Sequence, residues 1–227
     1  MGLGIRTALG SLKRRVQRTD EKILAAYLRS HTVRKLHVGC GTHIVPGWLN
    51  CDLASKVPGV FLLDATKRFP FHDNQFDFLF SEHLIEHLTY EQGRAMLSEC
   101  FRVLKPGGVA RITTPSFEFL ADLYKKQTGD LEKAYIDWAA ATFIPHAGQS
   151  KSVFVINNFL YCDWGHRFIY DPTTLSYALT SVGFTDAREC ALLSSSHEEL
   201  RNLENHERMP AGFLALESMT VEATKPR

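Results

Sequence analysis

The stretch Phe76 to Phe80 reads Phe-Asp-Phe-Leu-Phe, an almost continuous apolar run with one acid, Asp77. A strand buried on both faces looks like this, and such strands belong to parallel sheets covered on both sides. The neighbouring segments agree. Short strands are expected at Val33–Val38, Trp48–Leu53, Val60–Leu63, Val109–Thr113, Phe184–Ala191 and Leu216–Ala223. Helical periodicity falls between them. Residues 20–30 carry the stripe Ile23, Leu24, Tyr27 and Leu28, with Asp20 as the expected cap. Thr89-x-x-Gln92 is a capping-box pattern ahead of Met96, Leu97, Cys100, Val103 and Leu104. Lys105-Pro106-Gly107-Gly108 should stop that helix, and Asp171-Pro172 should open another that ends by Gly183. Strands alternating with helices predict an α/β fold with a mostly parallel sheet and helices on both faces.

The 227 residues suit one domain, and 44% hydrophobic with 22% charged residues excludes global disorder. Residues 1–30 are expected to form a basic segment and a helix, and residues 31–227 the main domain. The stretch from about 116 to 166 is too long for a simple connection and is rich in aromatics, which predicts a cap insertion. A net charge of +1 offers no strong field for nucleic acid, so that partner is not expected. Five cysteines, with no C-x-x-C pair, suit a reducing compartment and a cytoplasmic location. No apolar run approaches the roughly 18 residues a membrane span requires. Arg6 interrupts what would otherwise be a signal-peptide core and also breaks the myristoylation pattern. The basic start, with Lys13, Arg14, Arg15 and Arg18, leaves only a weak peripheral membrane contact open.

The chemistry begins at Gly39-Cys40-Gly41, directly after a strand. Glycine there lets main chain approach a ligand, although G-x-G alone is equally a tight turn. Ile44 stands where the third glycine of a dinucleotide fingerprint belongs, so a pyrophosphate cradle is not expected. Asp52, eleven residues beyond Gly41, can accept both hydroxyls of a ribose or simply hold a turn. Asp64-Ala65 follows the third strand and can meet an adenine amine or cap the next turn. Ligands of parallel sheets bind outside the carboxyl ends of strands, and Gly39, Asp52 and Asp64 all fall at such ends.

The strings LHVGCGTHIVPGWLNCDL, FDFLFSEHLIEHL, ECFRVLKPGGVARITTPS, HRFIYDPTTLSYALTSVGF and MTVEATKP, in this order, resemble the class I S-adenosylmethionine-dependent methyltransferases. They resemble most a bacterial branch with Gly-Trp-x-Asn-x-Asp soon after the glycine turn. The resemblance implies a Rossmann-like seven-stranded sheet in the order 3-2-1-4-5-7-6, with the last strand antiparallel. It implies S-adenosylmethionine as cofactor, lying against Gly39, Cys40, Gly41, Asp52, Leu53, Asp64, Ala65, Ser81 and Glu82. It also implies transfer to a small polar acceptor, an oxygen of a sugar or other biosynthetic intermediate. The other readings are metal-assisted RNA 2′-O-methylation and a non-catalytic cofactor-binding or scaffold protein.

Proton-handling groups cluster in Glu82-His83-Leu84-Ile85-Glu86-His87. On a helix, His83, Glu86 and His87 share one face and, with His146 or His166, offer a divalent-metal set. The H-x-x-E-H spacing also occurs in a class of zinc peptidases, but the flanking strand and glycine turn belong to a different fold. A metal-binding Glu-x-x-Glu-His occurs in small-RNA 2′-O-methyltransferases, and here His83 replaces its first Glu. No metal is expected; hydrogen bonds from Glu86 and His87 to the neighbouring loop account for the same residues. Cys162-Asp163-Trp164-Gly165-His166 is the second polar cluster. His83, His87 and His166 are the expected catalytic side chains.

Overall fold

The computed structural model describes residues 19–125, 129–144, 146–147, 151–162 and 164–227. The basic start and Asp163 lie outside the described residues. Seven strands form one sheet: β1 Lys35–Val38, β2 Leu49–Asp52, β3 Phe61–Leu62, β4 Phe76–Glu82, β5 Leu104–Pro115, β6 Thr185–Cys190 and β7 Ser218–Thr224. Their order is β3-β2-β1-β4-β5-β7-β6, as expected. Pairing is parallel from β3 through β5, and β7 runs antiparallel to both β5 and β6. The central strands are buried on both faces: Leu36 pairs with Leu49 and Leu79 on one, and on the other His37 pairs with Asn50 as a buried, hydrogen-bonded polar pair.

Helix α1 spans 19–30 and α2 Tyr90–Val103; α6 is Pro172–Ser181. The capping box is formed, with Thr89 Oγ1 accepting from Gln92 N and Gln92 Oε1 accepting from Thr89 N. Asp171 caps α6 by accepting from Thr174 N at 2.6 Å. Leu97, Cys100 and Leu179 meet Leu79, Ile112 and Val221 in the main core.

Several expectations are corrected. Asp20 is not a cap: it lies inside α1, and its Oδ1 accepts from Leu62 N at 3.2 Å, tying the helix to the sheet edge. Lys105-Pro106-Gly107-Gly108 ends α2 but forms no free turn. It belongs to β5, where the register jumps from Phe76↔Leu104 to Phe78↔Val109 and absorbs the extra residues as an irregularity. The start of the last strand is instead a short helix, α7 Phe213–Glu217. Residues 83–87 do not form an α-helix, because β4 continues through Glu82 and His83 N donates to Thr113 O at 2.9 Å. His83 then takes φ +48°, and only Ile85–His87 coil, as a 3-10 turn.

Between β5 and α6 the chain forms α3 Phe117–Lys125, α4 Asp130–Phe143 and α5 Lys151–Tyr161. These helices pack around their own core of Phe119, Leu123, Tyr135, Val155 and Phe159, joined by Phe213 of α7. They stand over the carboxyl end of β5, so the stretch 116–166 forms one wall of whatever binds at that rim.

Candidate active site

The parallel strands deliver their carboxyl ends to one rim, and the nucleoside-side residues meet there. Gly39 N and Cys40 N both donate to Cys51 O, at 2.8 and 3.0 Å. Gly41 N donates to Asp52 Oδ2 at 2.9 Å, and Asp52 O accepts from Leu63 N, one residue before Asp64. Gly39 has φ +78°, and a Cβ there would stand 2.7 Å from Leu84 Cδ2; Gly41 has φ +53° and open space beside it. A side chain at Gly39 would collide with Leu84, whereas Gly41 leaves open main chain at the rim.

Each expected cofactor residue has a definite place. Asp52 also accepts from Ala54 N, leaving carboxylate lone pairs toward solvent. Leu53 is exposed and Ala65 buried. Asp64 accepts from Thr66 Oγ1 and Thr66 N, and these bonds hold its carboxyl below the ordinary range. The Cys40 thiol is pushed up to about 12 by burial and by the charge of Asp52, so it is an inert packing group. Ser81 Oγ is buried without a hydrogen bond. Glu82 is buried and turned toward the loop, accepting from Asn205 N at 3.1 Å, with His43 Nδ1 at 3.5 Å. Burial favours its neutral form, but His43, His83, the Asn205 amide and Arg208 together hold it below the usual carboxyl range.

Next to this rim, at the ends of β4 and β5, lies a cavity of about 300 Å³. Its walls are Tyr135, Trp138, Phe143, Phe159 and Trp164, and its polar floor is His83, Glu86, His87, His166, Arg208 and Glu217. The floor side chains are held differently. His83 Nδ1 accepts from Arg208 Nη2 at 2.8 Å, which assigns the proton to Nε2, 2.9 Å from Ser218 Oγ. Both ring nitrogens of His83 are therefore occupied. His166 is the reverse: its Nδ1 meets Phe159 O at 2.7 Å, which fixes the proton there and leaves the Nε2 lone pair over. Burial holds His166 below the ordinary imidazole range, despite the opposing charge of Glu86. The His87 ring lies 5.0 Å from that of His166.

Glu86 is wholly buried. Its Oε2 accepts from Thr114 Oγ1 at 3.0 Å. Its Oε1 lies 3.2 Å from His83 Nδ1, but out of line, so Oε1 has no hydrogen bond. Among the described residues the metal-capable group is Glu86, His87 and His166, whose ligand atoms all lie within 4.8 Å of one another. His83, expected in that set, is outside it because the chain there is not an α-helix. Cys162 is exposed, and His146 packs edge-on against Phe154; neither joins the group.

Sequence reasoning missed Arg208 and Glu217. Glu217 accepts from Tyr135 OH at 2.6 Å and lies 3.4 Å from Arg208 Nη2. Nothing local marks them, since both look like surface charges until α7 folds back under the cap.

Residues 41–112 match the family model described as a methyltransferase domain. That segment runs from the glycine turn into β5. No curated protein matches. Among solved structures, the methyltransferase SibL in its apo form aligns at TM-score 0.50 and 16% identity, covering 95% of this chain and 57% of that one. A methyltransferase from Archaeoglobus fulgidus aligns at TM-score 0.49 and 19% identity, covering 95% and 94%. The CurJ carbon methyltransferase aligns at TM-score 0.49 and 14% identity over 86% of this chain, which spans about half (49%) of its length. The residues at the rim fit the cofactor: bare main chain at Gly39 and Gly41 lies beside carboxylates that retain free lone pairs. No helix among the described residues is long and apolar enough to cross a membrane.

Proposed function

We propose that this chain is a class I S-adenosylmethionine-dependent methyltransferase that acts on a hydroxyl of a small polar molecule, a sugar or another biosynthetic intermediate, in the cytoplasm. The cavity carries this reading. About 300 Å³ is the small end of ligand sites, which run to roughly 1,000 Å³. It suits one sugar-sized unit, and aromatic walls above a charged floor suit a molecule with an apolar ring face and hydroxyl edges. The same size and the net charge of +1 count against an RNA substrate. Five free cysteines support the compartment.

Bound S-adenosylmethionine supplies a methyl group already activated as a sulfonium. The chain has to hold the acceptor oxygen in line, keep water out and accept a proton. On our reading Gly39, Cys40, Gly41, Asp52, Leu53, Asp64 and Ala65 hold the cofactor, with Ser81 and Glu82 beneath it. Trp138, Phe143, Phe159 and Trp164 exclude water. The acceptor hydroxyl is activated at the Glu86–His87–His166 group, where His166 Nε2 is the oriented lone pair. His83 is a positioning residue: its two hydrogen bonds fix Arg208 and Ser218.

Cofactor with a labelled methyl group, offered with a panel of sugars, nucleotide sugars, hydroxy acids, amines and RNA, tests the assignment. Label is expected in an acid- and base-stable O-methyl product of a small hydroxyl compound. Label confined to amines or to RNA would overturn it.

A further inference from the structure

We propose that Glu86, His87 and His166 form a binding site for one divalent cation of the zinc type, set in the floor of the acceptor cavity. Two imidazoles and one carboxylate are a donor set that holds zinc and its neighbours while leaving positions open. Three observations carry this beyond mere proximity. First, Glu86 Oε1 is buried without a hydrogen bond, a costly arrangement for a carboxylate unless something else occupies it. Second, the outer partners that orient metal ligands are present: His166 Nδ1 is tied to the Phe159 carbonyl and Glu86 Oε2 to the Thr114 hydroxyl, so Nε2 and Oε1 are the atoms left over. Third, the three ligand atoms fall within 4.8 Å of one another on the wall of the cavity.

Ligands at about 2.1 Å from a zinc ion stand roughly 3–3.5 Å apart. His87 Nε2 is 3.9 Å from Glu86 Oε1, and the His87 side chain is 39% exposed, so a small rotation closes the set. The nearby cation, Arg208, is engaged with Glu217 and His83. Its charge is opposed by Glu217, which leaves the carboxylate of Glu86 to meet the ion.

The open positions face the cavity, which names the acceptor more closely: a hydroxyl compound able to offer oxygen to the cation. Coordination lowers the pKa of such a hydroxyl, and its proton is released to water, leaving an alkoxide as nucleophile. In that case His87 and His166 hold the cation and do not take the proton themselves. Cation binding stands on the three side chains alone, and only its role in transfer rests on the function proposed above.

The full chain, stripped with EDTA and dialysed, is titrated with Co²⁺ while visible absorption is followed, and Zn²⁺ is then added. One equivalent of Co²⁺ should produce a d–d band that Zn²⁺ abolishes. His87→Ala and His166→Ala should each weaken Co²⁺ binding by about 100-fold or more. His87 is partly exposed, so its variant should keep the wild-type circular dichroism. No band with the wild type, or unchanged affinity in both folded variants, overturns the site. EDTA should cut methyl transfer at least tenfold, with Zn²⁺ restoring it and the heat of cofactor binding unaltered; undiminished transfer overturns the role. Failure of the wild type to bind S-adenosylmethionine would instead sink the methyltransferase reading, without touching the Co²⁺ result.

Discussion

Two groups of buried carboxylates meet β5 a few residues apart, at Arg111 and at Thr114, and are treated in opposite ways. Arg111, wholly buried, is met by Glu204 at 2.7 Å and Glu222 at 2.6 Å, and donates to the carbonyls of Ser194 and Ala191. Glu204 also accepts from Thr113 Oγ1 and Leu193 N. Every charge there has a partner, and the group ties the 191–204 loop to the sheet. On the neighbouring rim, Glu86 is equally buried but keeps one oxygen without a hydrogen bond, beside a cavity. A satisfied buried network specifies structure, and an unsatisfied one facing space marks where a ligand completes it.

Breaking the first group should have the largest effect on stability. Arg111→Met strands two buried carboxylates and should cost about 3–5 kcal/mol in denaturant unfolding. A loss under about 1 kcal/mol would show that the network is not the tie described here.

A pH series comes next, because a third buried polar group, His37, lies one strand away. It is 1% exposed, hydrogen-bonded through Nδ1 to Asn50 Oδ1. Burial drives its pKa down to about 4, against partial help from Asn50. The unfolded chain has the ordinary value near 6.5 and so binds more protons between pH 6.5 and 4. Stability should therefore be full above pH 6.5 and fall by about 3 kcal/mol as pH drops through that window. His37→Gln should flatten the fall between pH 6.5 and 4; an equally steep profile would assign it to other groups.

Asp52→Ala should weaken S-adenosylmethionine binding by about 1–3 kcal/mol, if its carboxylate meets ribose hydroxyls, while leaving unfolding nearly unchanged. Equal affinity would remove Asp52 from the pocket. The smallest stability change is expected for Glu86→Gln. Glutamine keeps an acceptor for Thr114 and removes an underused charge, so unfolding should shift by less than about 1 kcal/mol while transfer falls steeply. A loss comparable to that of Arg111→Met would erase the contrast between the two groups.

Much of this was legible in the sequence. The doubly buried Phe76–Phe80 run and the alternation of elements predicted the parallel sheet, and a parallel sheet brings the ends of β1, β2 and β3 to one rim. Gly41 and Asp52 then meet through the Gly41 amide. What stayed hidden depended on long-range contacts. The helical reading of His83 to His87 failed because pairing with β5 carries β4 to Glu82 and turns His83 into a left-handed residue. Arg111 looks like an ordinary polar position in a strand until Glu204 and Glu222, 93 and 111 residues away, close over it. Arg208 and Glu217 enter the cavity only once α7 docks beneath the cap.

On the reading proposed here, the main-chain bend at Gly39 is the seat of the cofactor. Calorimetric titration with S-adenosylmethionine tests it most directly, on the wild type and on Gly39→Val. One equivalent should bind to the wild type, with no measurable heat from a folded Gly39→Val, whose new side chain would press on Leu84 at a φ that favours glycine. Wild-type protein that takes up no cofactor, or a valine variant that binds it as well as the wild type, would contradict the account.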